Sequence, residues 1–489
     1  MSILLSKSNY RQSLTCPRTL WFSVHDPGQL HEPSLSDQWR FEQGNTFEGL
    51  VRQTYSDGLM ITGYGPGAAR ETRRAIEAGA RTLFQATAIS ADGCLAMADI
   101  LQREDDGETW ALSEVKSSTQ VKDEHITDVA FQWHTFQQAG YRLSRASIVH
   151  VDNSMVRRGP LLPESVSVSV DVTQQVQDRL AEISTGAERA RQIIESASPP
   201  SPHSMPCMVK PADCSCPDRC YPGLPGFSVF NLPRLRFADA QQLYQSGIVA
   251  VTDITAIDAL TERQQLHVRA AQNGAPIIES QAIREFLGQL NWPLSFLDYE
   301  TVNPALPMFD GYRPYEQVVF QYSLHTLNAI EAGPHHANFL GDGTGDPAQL
   351  LARQLQRDLP DSGSVLVWNK SFEMARNREL AARCPEFTAF FDELNDRIVD
   401  LMDVVRNGYY VDAGFCGSAS IKKVLPVLVP TLDYTALDIS DGLTASTTWH
   451  RMVSGSLPED SQTVRSELIE YCHLDTLALV ELVRFFEQI

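Results

Sequence analysis

CLAMADIL (residues 94–101) and TWALSEVKSS (109–118), read as a pair, decide the fold of the first half of the chain. The first is a short apolar strand ending at Asp99. The second is a strand carrying Glu114 and Lys116, and residues two apart on a strand point to the same side. A carboxylate and an ammonium therefore converge on one point, next to the acid of the neighbouring strand. Two carboxylates can hold a divalent metal, and a lysine beside them can orient or deprotonate water. Glu-x-Lys alone also suits an exposed ladder on a hairpin, so the flanking segments carry the decision. Upstream, WRFEQGNTFEGLVRQTY (39–55) has helical spacing with Glu48 on the face of Gly44, adding a further carboxylate. Downstream, HITDVAFQWHTFQQAGY (125–141) is a helix presenting Asp128 and Gln132 four residues apart.

The second half repeats the theme with different spacing. LSFLDYET (294–301) places Asp298 and Glu300 on one face at the end of a strand. The final helical pattern, RSELIEYCHLDTLALVELVRFFEQI (465–489), carries Tyr471 and Asp475 one turn apart. Between them, SVLVWNKSFEMARNREL (364–380) reads as a strand over 364–368 entering a helix that exposes Asn369 and Glu373. Asp400 in RIVDLMDVV is a reserve acid, and Asp403 a weaker one. Carboxylates from one strand and two helices can bind two metals about 4 Å apart and stabilise both oxygens of a phosphodiester displacement. GSASIKKVLP (417–426) offers Ser418 or Ser420 as the cap of a helix with Lys422 and Lys423 in its first turn, a phosphate contact or a plain capped helix. Around Gly247 an ordinary helix–turn–helix connection is expected.

Nine cysteines are an odd count for a disulfide framework, and four of them, Cys207, Cys214, Cys216 and Cys220, crowd into PCMVKPADCSCPDRC (206–220). With Cys16 of SLTCPRTLWF, a distant thiolate joins a cluster, which could staple the two ends of a domain around one cofactor. Four thiolates suit iron–sulfur and tetrahedral zinc alike. Cys94, Cys384, Cys416 and Cys472 read as buried small hydrophobes.

The order helix with acid, Asp strand, Glu-x-Lys strand, helix with Gln resembles the RecB-type exonuclease branch of the PD-(D/E)XK nuclease superfamily, over roughly residues 1–225. The resemblance implies that Asp99 and Glu114 bind Mg²⁺ or Mn²⁺, with Glu48 near them. It gives Lys116 the role of assisting the attacking water and places Gln132 beside the site. The RecB branch usually has His where Glu48 stands. The cysteines are similar to those of iron–sulfur nucleases of this branch, including CRISPR-associated ones. That likeness implies a [4Fe–4S] cluster on Cys16, Cys207, Cys214 and Cys220, with Cys216 a spare and zinc the alternative. The second constellation resembles the DnaQ-like exonucleases of the RNase H-like fold, in the subclass with Tyr near the last Asp. It implies metal binding by Asp298, Glu300 and Asp475, orientation of water by Tyr471, and 3′→5′ removal of nucleotides. Glu373 occupies the place where that family has Asp. With LSKSNYRQSLTCPRTLW, FLDYETVNPALP, FQYSLH and SIKKVLP, the whole looks like a bacterial family that fuses the two domains.

An α/β architecture follows from strands and helices alternating through both halves. The expected division is a PD-(D/E)XK nuclease domain over 1–225, a helical connector over 226–285 and an RNase H-like exonuclease domain over 286–489. The break before the connector is the Pro/Ser-rich SASPPSPHSMP (196–206). No apolar run approaches the roughly 20 residues of a membrane span, and MSILLSKSNYRQSL has too short an apolar patch for a secretory leader; a cytoplasmic protein is expected. Net charge is 40 − 61 = −21, which excludes a general polyanion binder. The expected partner is nucleic acid, DNA before RNA, met in a local basic groove, in DNA repair or defence. The rival expectations are a nucleic-acid-binding scaffold whose sites have decayed, and an RNA exonuclease.

Overall fold

In the computed structural model, which describes residues 3–202, 209–435, 437–457 and 461–489, the chain is mixed α/β with several sheets. It divides into two compact units, Met1–Pro222 with Asn303–Glu316, and Gly223–Val302 with Gln317–Ile489. The expected connector over 226–285 is not separate. Its residues fall within the second unit.

The first unit opens with β1 (Leu5–Ser6), α1 (Lys7–Thr15), α2 (Pro17–His25), α3 (Leu35–Arg52), β2 (Leu59–Met60) and α4 (Gly65–Glu77). There follow β3 (Thr82–Ile89), β4 (Cys94–Arg103), β5 (Trp110–Lys116), α5 (Asp123–Gln138), β6 (Leu143–Val151), α6 (Pro163–Val166), β7 (Ser167–Asp171), α7 (Thr173–Glu195) and α8 (Pro217–Cys220). The strands form one sheet in the order β2-β3-β4-β5-β6-β7, with β1 paired to β4. β3, β4 and β5 are antiparallel neighbours, whereas β5 and β6 are parallel, since α5 carries the chain back across the sheet. Helix α3 starts at a reciprocal Ser34/Asp37 capping box. In α4 the buried Ala68, Thr72 and Ala75 form the single apolar stripe that holds it to the sheet. β4 is buried on both faces for most of its length and runs on to Arg103. Asp99 therefore lies inside the strand and not at its end, because Ile100 and Leu101 still have partners on both sides.

The second unit begins with α9 (Phe237–Gln245), α10 (Glu262–Asn273), β8 (Ile277–Ile278) and α11 (Ser280–Leu287). Val229, Leu232, Ala240, Val251, Ile254 and Val268 form a small core there. Gly247 simply follows the end of α9 with φ +87°, the left-handed conformation that glycine tolerates best. The main sheet uses β9 (Leu294–Val302), β10 (Val318–Leu327) and β11 (His335–Leu340), then α12 (Ala348–Asp358), β12 (Val365–Val367), α13 (Lys370–Arg383), α14 (Thr388–Arg397) and β13 (Ile398–Asp400). After α15 (Asp403–Arg406) and β14 (Tyr410–Val411), which pairs with β8, come α16 (Ile421–Leu428), α17 (Gly442–Val453) and α18 (Ser461–Phe486). Strand order is β11-β10-β9-β12-β13, antiparallel up to β9 and parallel beyond it. Leu297, Tyr299, Tyr322 and Leu324 face a core shared with α12, α13 and α14. Residues of opposite parity on β9 and β10 face the other way, and α18 packs on both strands. β9 continues past Glu300 to Val302, so its acids too sit within a strand.

Gly363 fixes the start of β12 beside β9. Its φ is +93°, and a Cβ there would collide with the carbonyl oxygen of Pro293. Gly363→Ala is expected to destabilise the protein by about 3 kcal/mol, measured as a lowered denaturation midpoint. An unchanged midpoint would show that this junction relaxes freely. Among the described residues no helix is long and apolar enough to cross a membrane.

Candidate active sites

The first site forms where two strands part. The β4–β5 ladder ends at Ile100 opposite Ser113, so the next cross-strand pair is Asp99 and Glu114. Beyond that point Asp99 replaces the lost ladder bond, its Oδ2 accepting from Val115 N at 2.8 Å. Like charges facing each other across a sheet repel, and cations enter the gap. β1 pairs with β4 at Cys94 and Leu95, and α1 follows at once, bringing Lys7 to Glu114 Oε1 at 2.5 Å. Lys116 reaches the same oxygen at 2.7 Å and Asp128 Oδ2 at 2.9 Å. Gln132 donates to Glu114 Oε2. Gln85, cross-strand from Asp99, bonds Asp99 Oδ1 at 3.3 Å and Glu48 Oε1 at 2.6 Å. Its backbone lies in the left-handed region at φ +53°, a strain of the kind stored at sites the surroundings hold fixed. Glu48 also pairs with Arg52 at 2.5 Å.

The electrostatics separate the two central acids. Burial, then Glu114, pushes Asp99 up to about 8 against the pull of Lys7. Burial acts on Glu114 in the same direction, but Lys116 and Lys7 outweigh it and hold that carboxyl far below its usual range. Lys116 is desolvated, yet Glu114 and Asp128 keep it protonated well above the ordinary lysine value. Its ammonium donates to Glu114 Oε1 and Asp128 Oδ2. The residues singled out in the sequence, Glu48, Asp99, Glu114, Lys116, Asp128 and Gln132, are brought together. Lys7 and Gln85 complete the arrangement. A cleft of about 1380 Å³ opens over it, lined by five Lys or Arg side chains, Arg11, Arg40, Lys116, Lys122 and Arg313, against five acids. For a chain with 61 acids to 40 bases that is a local balance of charge, and three of the five acids are Glu48, Asp99 and Glu114.

The second site gathers acids from three elements. Asp298 and Glu300 stand on one face of β9 in register with Ser323 and Gln321 of β10. Their carboxylates and the thiol of Cys472, on α18, lie within 4.8 Å of one another. Asp475, one turn on from Tyr471, accepts from the Tyr434 hydroxyl at 2.6 Å. Glu373 is 3 % exposed, and its Oε2 has no hydrogen-bond partner; the sequence expectation that it is exposed is overturned, because α13 turns it inward under the sheet edge. Burial first, then mutual repulsion, pushes Asp298, Glu300 and Glu373 well above the carboxylate range. Asp475, eased by Tyr434, Lys422 and Tyr471, rises only to about 6.

Lys422 supplies the nearby cation, with its ammonium 5.4 Å from the ring centre of Tyr434 and 5.2 Å from that of Tyr471. Its helix has Ser420 at the cap position without a side-chain cap bond, so the expected serine cap is not made; Ser418 instead accepts from Ser420 N. Asp400, the reserve acid, is occupied. It accepts from Lys370 N at 3.2 Å and from Arg406 at 3.1 Å, while Asp403 pairs with Arg406. Cys472 is buried as expected but abuts Asp298 at 3.7 Å. Cys416 is not buried; it ends a short turn in the left-handed region. A set of four carboxylates, three of them buried and Asp298 half-buried, with Glu373 Oε2 unpaired, has the donor chemistry of a divalent metal site.

Three thiols also converge, those of Cys214, Cys216 and Cys220, within 4.8 Å of one another. Cys216 and Cys220 are 3.8 Å apart because the turn Pro217–Cys220 stacks them at i, i+4. Cys216, expected as a spare, thus lies beside Cys214 and Cys220. Hydrogen bonds from Cys214 and Cys216, with Arg18 alongside, hold the Cys220 thiol far below its usual range. Cys207 lies outside the described residues. Cys16 is buried and caps α2, its sulfur accepting from Thr19 N at 3.5 Å. Two residues on, Arg18 bonds Arg219 O at 3.2 Å, tying α2 to the cysteine loop.

A family model described as a domain of unknown function (DUF2779) matches residues 295–420, a stretch that holds Asp298, Glu300 and Glu373. The chain is similar to the uncharacterized protein MG366 homolog of Mycoplasma pneumoniae, 27 % identical over 212 residues, which are 39 % of this chain and 32 % of the relative. It is also similar to the uncharacterized protein UU173 of Ureaplasma parvum, 25 % identical over 280 residues, 50 % of this chain and 38 % of the relative. The matched stretch thus spans about a third of the length of these curated relatives.

Proposed function

We propose that this chain is a divalent-metal-dependent nuclease with two acidic sites, cleaving phosphodiester bonds of DNA. The observation that carries the reading is the gathering of Asp298, Glu300, Glu373 and Asp475, drawn from β9, α13 and α18, with desolvation raising all four and repulsion adding to it for the first three. A protein tolerates such a set where a cation joins it in use. The first unit supports the same reading through Asp99, Glu114 and a cleft to which five arginines and lysines contribute, in balance with its acids. We assign it a PD-(D/E)XK nuclease fold, on the order α3, β4, β5, α5 carrying Glu48, Asp99, Glu114 and Gln132. For the second unit we propose an RNase H-like fold, on the position of the acids at the central strand.

A bound Mg²⁺ or Mn²⁺ at either site would polarise the phosphodiester and acidify the attacking water. The chain's own residues do the rest. Asp99 and Glu114 hold the first ion, and Lys116, kept protonated, donates to the water or the phosphate. Lys7 shares the Glu114 oxygen and keeps that carboxyl ionised. In the second unit Asp298, Glu300, Glu373 and Asp475 hold the metals. Tyr434 and Tyr471 orient Asp475 and the water near it, and Lys422 receives a phosphate oxygen. A [4Fe–4S] cluster is the proposed occupant of Cys214, Cys216 and Cys220, with Cys16 the candidate for a fourth ligand and zinc the rival.

End-labelled single-stranded DNA and RNA, incubated with Mg²⁺ or Mn²⁺, test the activity. Wild type should shorten DNA, Asp99→Ala and Asp298→Ala should each remove one part of the product pattern, and chelator should abolish all of it. Intact DNA and RNA with both metals defeat the reading, and salt-sensitive binding without turnover selects the scaffold alternative. The cofactor has its own check. Protein purified without oxygen is expected to be brown, with broad absorbance near roughly 400 nm that Cys216→Ser abolishes. Colourless protein with stoichiometric zinc overturns iron–sulfur.

A further inference from the structure

Three histidines of the second unit meet outside the acid cluster. His325 on β10 and His336 on β11 are cross-strand partners, and His473 comes from α18. Their ring centres are 4.5, 4.7 and 4.3 Å apart, and one nitrogen of each lies within 4.8 Å of the other two. Hydroxyl groups anchor two of the rings from behind. His325 Nδ1 bonds Thr476 Oγ1 at 2.8 Å, and His336 Nε2 bonds Ser323 Oγ at 2.9 Å. The two hydroxyls bond each other at 2.7 Å. Nε2 of His325 and Nδ1 of His336 make no hydrogen bond among the described residues. Metal-binding histidines are typically oriented by a hydrogen bond on the other ring nitrogen.

We propose that His325, His336 and His473 form a Zn²⁺ site. Three imidazoles without a carboxylate select a borderline ion over Mg²⁺ or Ca²⁺, which want oxygen. His325 is buried while His336 and His473 are only half-buried, so the cluster is reached from solvent and a fourth ligand could be water. Burial, and then the proximity of the other rings, favours the neutral form of His325 and His336, the form that binds metal. The ion would clasp the β10–β11 hairpin to α18, the helix that carries Tyr471 and Asp475. The second unit would then hold two chemically distinct metal centres, one of oxygen donors and one of nitrogen. This assignment is independent of the nuclease reading, because its test reads metal and not cleavage.

The test uses the full chain, stripped of metal and titrated with Zn²⁺ against a chromophoric chelator, with Co²⁺ as a spectroscopic substitute. Wild type is expected to take up a zinc equivalent that persists in Cys216→Ser and disappears in His473→Ala. Co²⁺ in the Cys216→Ser protein should give weak visible bands without thiolate charge transfer. Thr476→Val, which keeps the shape of the side chain but loses the hydroxyl behind His325, should weaken that equivalent by about 10–100-fold. Circular dichroism and melting of the zinc-free variants verify that they are folded. If His473→Ala does not fold, His336→Gln at the half-buried strand replaces it and should lose the same equivalent. Equal zinc affinity and stoichiometry in wild type and the folded histidine variants overturn the proposal. So does loss of all zinc in Cys216→Ser.

Discussion

Asp99→Asn is expected to melt at or slightly above the wild-type temperature and to lose about a thousandfold of the metal-dependent cleavage assigned to the first site. The two effects separate because of how Asp99 is held. Its carboxyl is pushed up to about 8, first by burial and then by Glu114, so near neutral pH and without metal it carries little charge for the fold to use. Asparagine keeps the size and the oxygen that accepts from Val115 N at 2.8 Å. What it removes is a charged oxygen donor to a divalent ion, and Lewis-acid stabilisation is worth several kcal/mol, about tenfold in rate per 1.4 kcal/mol. Glu114→Gln should behave differently. It strips the carboxylate that faces Lys7 at 2.5 Å and Lys116 at 2.7 Å, leaving two ammonium groups crowded against a neutral amide. That change should cost about 3 kcal/mol of stability as well as activity. Both variants are best measured in an Asp298→Asn background, where the proposed second site is silent. If Asp99→Asn cuts as fast as that parent, Asp99 is not part of a metal site.

What the sequence makes legible here is whatever depends on short spacing. Glu114 and Lys116 share a face because strand side chains alternate, and Tyr471 and Asp475 share one because helices repeat every 3.6 residues. The acids were therefore found. Their partners were not, because they arrive through long-range packing. Lys7 reaches Glu114 only because two residues of β1 pair with β4. Gln85 reaches both Glu48 and Asp99 from a left-handed backbone that no propensity anticipates. Tyr434 lies in an irregular stretch between α16 and α17, and its bond to Asp475 spans 41 residues. The three histidines are invisible for the same reason, since two come from neighbouring strands and the third from a helix more than a hundred residues later. Two signals were local and were missed. Cys16-Pro17 with Thr19 is a helix start with proline at the first position, which the sulfur caps. Cys216 and Cys220 flank a proline-initiated turn that brings them together. The expected strand ends fall short because a polar residue reads as a stop, whereas Asp99 and Glu300 sit within strands that continue.

The largest effect on stability is expected at Asp298, and it should change sign with metal. Asp298, Glu300 and Glu373 are held well above the carboxylate range, and Asp475 at about 6, by burial and, for the first three, by one another. In the unfolded chain these acids titrate near 4. Between those values the folded state binds more protons than the unfolded state, so unfolding free energy falls as pH rises. The stability present below about pH 4 is thus lost as pH climbs through 6 and above, at about 1.4 kcal/mol per proton and pH unit. Metal-free wild type should therefore melt progressively lower from pH 5 to pH 8. Asp298→Asn removes one proton from that balance and one charge from the repulsion, so at pH 8 without metal it should melt several degrees higher than wild type, at about 2–4 °C per kcal/mol. Mn²⁺ reverses the ranking. A divalent ion binds the ionised carboxylates, so its stabilisation should grow with pH in wild type and be small in Asp298→Asn. The measurement is a set of melting curves at pH 5, 6, 7 and 8, with Mn²⁺ or with chelator, for both proteins. Parallel curves, with equal gains from Mn²⁺, would mean that the four acids neither repel one another nor share an ion.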